Sequence, residues 1–376
     1  MLATYITIPP SLRPTTGFDT NVLADWVGIL TGTITSPSQL SSAAQQTLCK
    51  ISGTQYPWEV YDADAHPGYP GKFKVLRRLN TDTLTYSYML IGFVTTNYTA
   101  LTIYALNGCI GFMGGWDSTL KRPTTAMVLS NGGTVPASTV LSTSTLAMSF
   151  IANSDAMCKG SANSVLWDFA LGNGGSTGLN APMPYTILNT PALFFFFAQS
   201  VTNANSFPMG FVAEHDGSNV YSNPTVGVKP IVYGAQNNSG ANYALISSPE
   251  MKDTVGDTVT PSYTQLISLF SNQCNSTNVP GYLHHPSTAI PNFTKDAAGN
   301  LAIPITPIDV QQITLSNGWA CYAGRLKELF ATLPGSFPVG TTFNVGSDKY
   351  LVLPCGGYSG TPSAYSPAGK LVAKIK

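Results

Sequence analysis

The sequence predicts a mainly β fold with a few short helices, built of β-sandwich-like domains and α+β overall. Three observations carry this: apolar residues recur with period two through most of the chain, 35 Gly and 27 Pro punctuate it, and only 10% of its residues are charged. Alternation marks half-buried strands, and Gly- and Pro-rich clusters mark the turns between them. Such a profile suits many short strands rather than long amphipathic helices.

The first element is a helix. Asp19 or Thr20 can cap it, and Val22, Leu23, Trp26, Val27 and Leu30 recur at helical spacing. A second helix begins at Ser36-Pro37, a cap followed by proline at the first helical position, with Leu40, Ala43, Ala44, Thr47 and Leu48 on one side. From Tyr56 the period becomes two. Trp58 and Val60 alternate with Glu59 and Tyr61, and Phe73-Lys74-Val75 and 86–91 follow as strands, then 101–106 and 146–151. Asn107-Gly108, Gly114-Gly115 and Asn131-Gly132-Gly133 supply turn signals between apolar runs.

The middle of the chain continues in strands at 165–171, 193–201, 209–214 and 228–233, with Asp216-Gly217 as a turn. The run Leu193-Phe194-Phe195-Phe196-Phe197-Ala198 is too short to span a bilayer and reads as a strand buried on both faces. A helix near Pro261 would place Tyr263, Leu266, Ile267 and Phe270 on one face, and 272–291 reads as a polar, proline-punctuated loop. The tail offers a strand at 301–305 after the turn residues Gly299-Asn300, a short helix at 325–330, and the clearest hairpin in the chain. Its arms are 342–345 and 349–353, joined by Gly346-Ser347-Asp348. The length of 376 residues divides into an N-terminal α+β domain at 1–155, a central β domain at 156–295, and a small C-terminal β domain at 296–376.

Composition narrows function. Charged residues stand at 10% against roughly a quarter in ordinary soluble domains, so hydroxyl and amide side chains keep the surface wet. Eighteen basic and eighteen acidic residues cancel, which leaves no long-range field to attract nucleic acid or anionic lipid and little repulsion between copies. Cys49, Cys109, Cys158, Cys274, Cys321 and Cys355 are widely spaced without CxxC, the pattern of scattered buried thiols; disulfides are the alternative. The N-terminus has no basic region ahead of a continuous apolar stretch, so secretion by a signal peptide is not expected. The expected site of synthesis and assembly is the cytoplasm, without membrane insertion.

His215 in Glu214-His215-Asp216 and the pair His284-His285 lack HExxH or HxH spacing, and read as a polar strand end and a solvated loop. Asp62-Ala63-Asp64-Ala65-His66 offers two carboxylates, without the glycine and distal glutamate of a calcium loop, and reads as a capped turn. Gly356-Gly357-Tyr358-Ser359-Gly360 fails as a nucleophile elbow because Thr361 stands where the second glycine belongs. The cluster Gly172-Asn173-Gly174-Gly175-Ser176 lacks the lysine and strand-to-helix setting of a phosphate cradle.

Lys72, Lys74, Arg77 and Arg78 form the single basic cluster. It could take phosphate, but a solvated strand face or salt-bridged subunit contact is the simpler reading. Any glycan hydrolase would have to draw its carboxylate pair from residues such as Asp168, Glu214 and Asp216. The abundance of Tyr suits both subunit interfaces and sugar platforms. The residues therefore indicate a non-enzyme, with no catalytic, cofactor-binding or metal-binding residue and no cofactor.

Trp58-Glu59-Val60-Tyr61-Asp62, followed by Val75-Leu76-Arg77 and Tyr86-Ser87-Tyr88, resembles a W-x-x-Y-D strand and V-x-R…Y-x-Y pair found in virion structural proteins of tailed bacteriophages. Phe207-Pro208-Met209-Gly210-Phe211-Val212-Ala213-Glu214 is similar to a segment of those proteins in which a strand ends in glutamate. The C-terminal hairpin resembles their closing one. The resemblance covers about half the chain and consists of fold-making positions. It implies a structural component of tail or baseplate, present in multiple copies in the virion and assembled in the host bacterial cytoplasm. The implied partners are copies of itself and other virion proteins, with no specific nucleic acid. A module binding host-surface carbohydrate or another receptor is the alternative.

Overall fold

A computed structural model describes residues 1–8, 16–98, 103–129, 134–141, 167–168, 183–198, 209–216, 231–236, 242–246, 251–252, 258–259, 263–267, 305–314, 319–332, 340–354 and 370–376. In chain order the first elements are β1 (Leu2–Thr7), α1 (Phe18–Thr31), a 3₁₀ turn (Pro37–Gln39), α2 (Ala43–Leu48), β2 (Lys50–Ser52), β3 (Glu59–Asp62) and β4 (Phe73–Leu79). There follow β5 (Tyr86–Tyr98), β6 (Ile103–Met113), β7 (Trp116–Asp117), β8 (Arg122–Pro123), β9 (Met127–Leu129), β10 (Thr134–Val135), β11 (Trp167–Asp168), β12 (Met183–Asn189), β13 (Leu193–Ala198) and β14 (Met209–Ala213). The rest are β15 (Ile231–Gln236), β16 (Asn242–Ile246), β17 (Met251–Lys252), β18 (Thr258–Val259), β19 (Tyr263–Ile267), β20 (Ile305–Thr314), β21 (Trp319–Thr332), β22 (Thr342–Val345), β23 (Asp348–Pro354) and β24 (Lys370–Lys374). The protein is mainly β with two short α-helices among the described residues.

The chain forms two compact units. One comprises Met1–Asn80, Tyr86–Val212 and Val232–Ala244; the other comprises Thr81–Thr85, Ala213–Ile231 and Leu245–Lys376. The units interleave along the chain. Long-range strand pairing is the reason: β1 runs antiparallel to β12 along its whole length, from Leu2 opposite Leu188 to Thr7 opposite Met183.

The first unit is built on two antiparallel sheets. One has the order β16-β15-β14-β13-β12-β1-β2; the other runs β10-β9-β6-β5-β4-β3 with β11 paired to β6. They face each other through aromatic rings. Phe194 on β13 meets Trp58 at 5.7 Å and Phe112 on β6 at 5.8 Å. Trp26 of α1 touches Phe93 of β5 at 5.6 Å, Phe196 of β13 at 5.5 Å and Tyr5 of β1 at 5.7 Å. Each such ring removes a large apolar area from water, so this layer supplies much of the unit's stability. The four-phenylalanine run is buried on both faces as expected: Phe194 and Phe196 point into the sandwich, while Phe195 stacks on Phe211 of β14.

In the second unit the principal sheet has the order β19-β20-β21-β24-β23-β22, beside the small pair β17–β18. The expected hairpin is present. Val345 lies opposite Asp348, so the connection is the two residues Gly346-Ser347 rather than three. Gly346 takes φ 59°, the conformation its position in a two-residue turn demands.

Several expectations are corrected. Helix α1 begins at Phe18 behind a left-handed Gly17 cap, and Asp19 and Thr20 lie inside the first turn rather than capping it. The second helix splits. Ser36 caps only a 3₁₀ turn, Leu40 is extended at φ −70°, ψ 155°, and α2 starts afresh at Ala43. Asn107-Gly108 is not a turn but the middle of β6, where Gly108 lies opposite Phe93.

A glycine inside β5 has a packing purpose. A Cβ on Gly92 would sit 2.0 Å from the ring of Phe73, which occupies that space. Val60 does not share the burial of Trp58; it is 43% exposed, because β3 is the last strand of its sheet and a bulge separates Val60 from Asp62.

The two C-terminal helices are strands. Residues 263–267 form β19, with Leu266 opposite Val310 and Ile267 opposite Asp309. Residues 325–330 belong to β21, paired with β20 on one side and β24 on the other. Helical propensity at Leu326-Lys327-Glu328-Leu329 is overridden by long-range pairing: Arg325 lies opposite Asp309, Leu326 bridges His215, the Lys327 N–H donates to the Glu214 carbonyl, and Leu329 lies opposite Ala373. The strand expected at 146–151, most of that at 165–171, and the segments 131–133, 172–176, 272–291, 299–304 and 356–360 lie outside the described residues.

Candidate functional site

Asp62 ends β3 and is buried. Its carboxylate accepts hydrogen bonds from Trp116 Nε1 at 2.9 Å, from the backbone N–H of Asp64 at 3.1 Å, and from Lys121 Nζ at 2.8 Å to each oxygen. Burial is the largest single influence and pushes the carboxyl up, but the Lys121 ammonium and the other donors together hold it below the usual carboxylate range. Asp64 accepts the N–H of Gly71, and His66 is buried against Tyr69 and Phe73 with Nδ1 accepting the N–H of Gly68. The carboxylates are thus committed to a lysine and a turn rather than converging on a cation site. Among the described residues no group of three or more His, Cys, Asp or Glu could hold a metal ion.

Glu214, His215 and Asp216 belong to the second unit. Glu214 is buried, and its carboxylate accepts from the Thr81 N–H at 2.9 Å, from the Thr81 hydroxyl, and from Lys327 Nζ at 3.3 Å. His215 is buried and pairs through its backbone with Leu326. Asp216 is exposed and binds Arg325 twice, its N–H donating to the Arg325 carbonyl and its Oδ1 accepting the Arg325 N–H. The two carboxylates therefore anchor neighbouring chain. Asp168 lies in β11 opposite Asn107 of β6 in the first unit. His284 and His285 lie outside the described residues.

A buried network the sequence did not signal joins β1, α1 and the segment before α2. Asp25 Oδ2 accepts from the Tyr5 hydroxyl at 3.0 Å and from Ser41 Oγ at 2.8 Å, Oδ1 accepts the Ser41 N–H at 2.9 Å, and Gln45 Nε2 donates to Tyr5. Desolvation raises the Asp25 carboxyl despite these donors. The nearby Cys49 thiol is free and buried, accepts the Ile6 N–H at 3.1 Å, and is pushed up to about 11 by burial; Cys109 is likewise free and is pushed to about 12. Neither has the exposed, electropositive surroundings of a reactive thiol.

The basic cluster disperses on folding. Lys72 pairs with buried Asp19 at 2.6 Å, and Lys74 Nζ donates to the Ala63 carbonyl at 3.1 Å. Arg78 points into the sandwich. There it donates to Asn189 Oδ1 at 2.9 Å and the Thr190 carbonyl at 2.7 Å, and lies over the Trp58 ring at 5.0 Å. Asn189 Oδ1 also accepts Trp58 Nε1, so one amide holds both Trp58 and Arg78.

Arg77, one residue earlier on the strand, points to the opposite face. Its guanidinium lies over the rings of Tyr61 at 4.5 Å and Tyr86 at 4.6 Å and pairs with Glu59 through Nε. Tyr61 and Tyr88 meet edge to face at 5.5 Å. All three tyrosines are half-buried, Glu59 is exposed, and the adjacent Leu79 is 46% exposed.

Thus the residues of the W-x-x-Y-D, V-x-R and Y-x-Y segments divide: Trp58 and Asp62 are buried, Trp58 bound to Asn189 and Asp62 to Trp116 and Lys121, while Tyr61, Arg77, Tyr86 and Tyr88 are half-buried together. The spacing of two in Tyr86-Ser87-Tyr88 was the signal that both rings share a face. Which neighbours they would meet was not readable without the pairing of β3, β4 and β5. No protein-family model and no curated protein matches the chain.

Proposed function

We propose that the protein is a non-enzymatic structural subunit of a tailed-phage virion, of tail or baseplate, assembled in multiple copies with itself and with other virion proteins. One observation supports it above others: the buried carboxylates Asp19, Asp62 and Glu214 each bind a lysine from a distant part of the chain, Lys72, Lys121 and Lys327. Acids that hold a framework in this way are not poised for proton transfer, which requires a group able to reach a substrate. The low charge content and zero net charge also let copies pack with little mutual repulsion.

The test is quantitative mass spectrometry of purified particles together with sedimentation of the isolated chain. The expected result is several copies per particle and self-association in solution. Absence from particles, or release of reducing ends from bacterial polysaccharide by the purified chain, overturns the reading.

A further inference from the structure

We propose that the outer edge of β22 pairs antiparallel with β22 of a second copy, joining two sheets into one. The proposal deepens the multi-copy reading above by naming a surface for it. β22 is the last strand of its sheet, and Thr342, Asn344 and Val345 are exposed. Alternation along the strand fixes which backbone groups face outward. The Val352 N–H donates to the Thr341 carbonyl, and Val345 and Asp348 close the turn, so Phe343 and Val345 direct their N–H and C=O groups toward β23. Those of Thr342 and Asn344 therefore point away from the sheet.

The sheet edges differ in how they are protected. β3 is bulged and carries Glu59, β2 is three residues long with Lys50 exposed, and β10 is two residues long. Bulges, charges and shortness stop a strand from being extended by another chain. β22 has no charge, proline or bulge, and its register runs unbroken from Thr342 opposite Leu351 to Val345 opposite Asp348. On the neighbouring strand Asp348 is neutralised by Lys374 at 2.9 Å.

The edge is also self-complementary. With Phe343 opposite Phe343 of the second copy, Thr342 of each copy faces Asn344 of the other, and the outward N–H and C=O of both residues are answered in both copies. A shift by one residue sets outward groups against inward ones, and a shift by two leaves Thr342 or Asn344 unanswered. The same register sets Val345, 49% exposed, against Thr341 of the other copy, a pair of β-branched side chains. Phe343 already stacks on Tyr350 at 5.6 Å, so its ring is oriented before a partner arrives. A four-residue edge buries less than the roughly 1,000 Å² that a stable isolated dimer needs. The contact works within an assembly, and covalent trapping is the measurement suited to it.

In this register residues 341 and 345 of opposite copies form a non-hydrogen-bonded pair with Cα atoms about 4.5 Å apart, within reach of a disulfide. Purified full chains Thr341→Cys and Val345→Cys are oxidised with glutathione, separately and mixed, beside wild type. Non-reducing electrophoresis and peptide mass spectrometry read the products. The mixture is expected to form the 341–345 disulfide at least tenfold faster than either variant joins to itself, because like positions lie about 13 Å apart along the paired strands. Adding Asn344→Pro to both chains removes an outward donor and no bond to β23, and should slow the mixed disulfide at least fivefold with the melting midpoint unchanged.

Equal rates for mixed and separate chains, or undiminished linkage with Asn344→Pro at an unchanged midpoint, overturn the proposal. If the proline variant melts early, the comparison of mixed and separate chains decides. The test uses the purified chain, so absence of the protein from particles overturns the virion reading without touching this one, and failed linkage overturns this one alone.

Discussion

Asp25 and Asp62 are both buried in the first unit and both surrounded by hydrogen-bond donors, yet their carboxyls shift in opposite directions. Asp25 is answered by neutral groups, the hydroxyls of Tyr5 and Ser41 and one backbone N–H. Asp62 is answered by an ammonium as well as by an indole and a backbone N–H. Hydrogen bonds from neutral donors do not fully replace the water lost on burial, whereas a cation at contact distance does. The α1 clip therefore holds its carboxylate at a cost that the β3 clip does not bear.

The largest effect should come from removing the cation's partner. Asp62→Ala leaves Lys121 and the Trp116 indole N–H unanswered and should cost about 3 kcal/mol in urea unfolding at neutral pH. Asp25→Asn, which keeps the shape and removes the buried charge, should cost less than about 1 kcal/mol under the same conditions. If the two losses prove equal, the distinction between neutral and cationic partners fails.

The pH dependence sharpens the comparison further. Asp62, held low, contributes stability that is present above its unfolded value near 3.8 and is lost as pH falls through its folded value. The gap between wild type and Asp62→Ala should therefore narrow in acid. Asp25, held high, favours the folded state most below its unfolded value of about 3.8, and that advantage is lost as pH rises through its folded value. Wild type should gain on Asp25→Asn as the solution is acidified. Unfolding midpoints measured from pH 3 to 8 check both slopes, and slopes of the same sign would contradict the pair.

The smallest effect belongs to the exposed ion pair. Glu59→Gln should change stability by less than about 1 kcal/mol, and 1 M NaCl should erase most of that difference. A larger, salt-independent loss would mean that the Arg77 patch is a folding element as well as a surface.

Local readings of the chain held where one segment carries its own answer. Val22, Leu23, Trp26 and Leu30 announce α1 by spacing, the buried run at Phe194–Phe197 announces β13, and the glycine turn between Val345 and Asp348 announces the hairpin. The readings failed where a distant partner decides. Leu326 to Phe330 carries helix-favouring residues but is drawn into β21 by Glu214 and His215 at Leu326 and Lys327 and by β24 at Leu329 and Phe330, and Tyr263 to Ile267 has helical spacing yet pairs with β20. At the surface patch, Arg77 and Arg78 are indistinguishable as neighbours in sequence. Only the pleat of β4 sends one over tyrosine rings and the other to Asn189.

By itself the sequence determined the class of fold and the poverty of charge, because both follow from composition and from contacts within a few residues. The tertiary structure alone decided which acids meet lysines, which tyrosines share a surface, and that β1 closes on β12. Those outcomes depend on register between segments far apart in the chain, and a one-residue change of register would send each of these side chains to the opposite face.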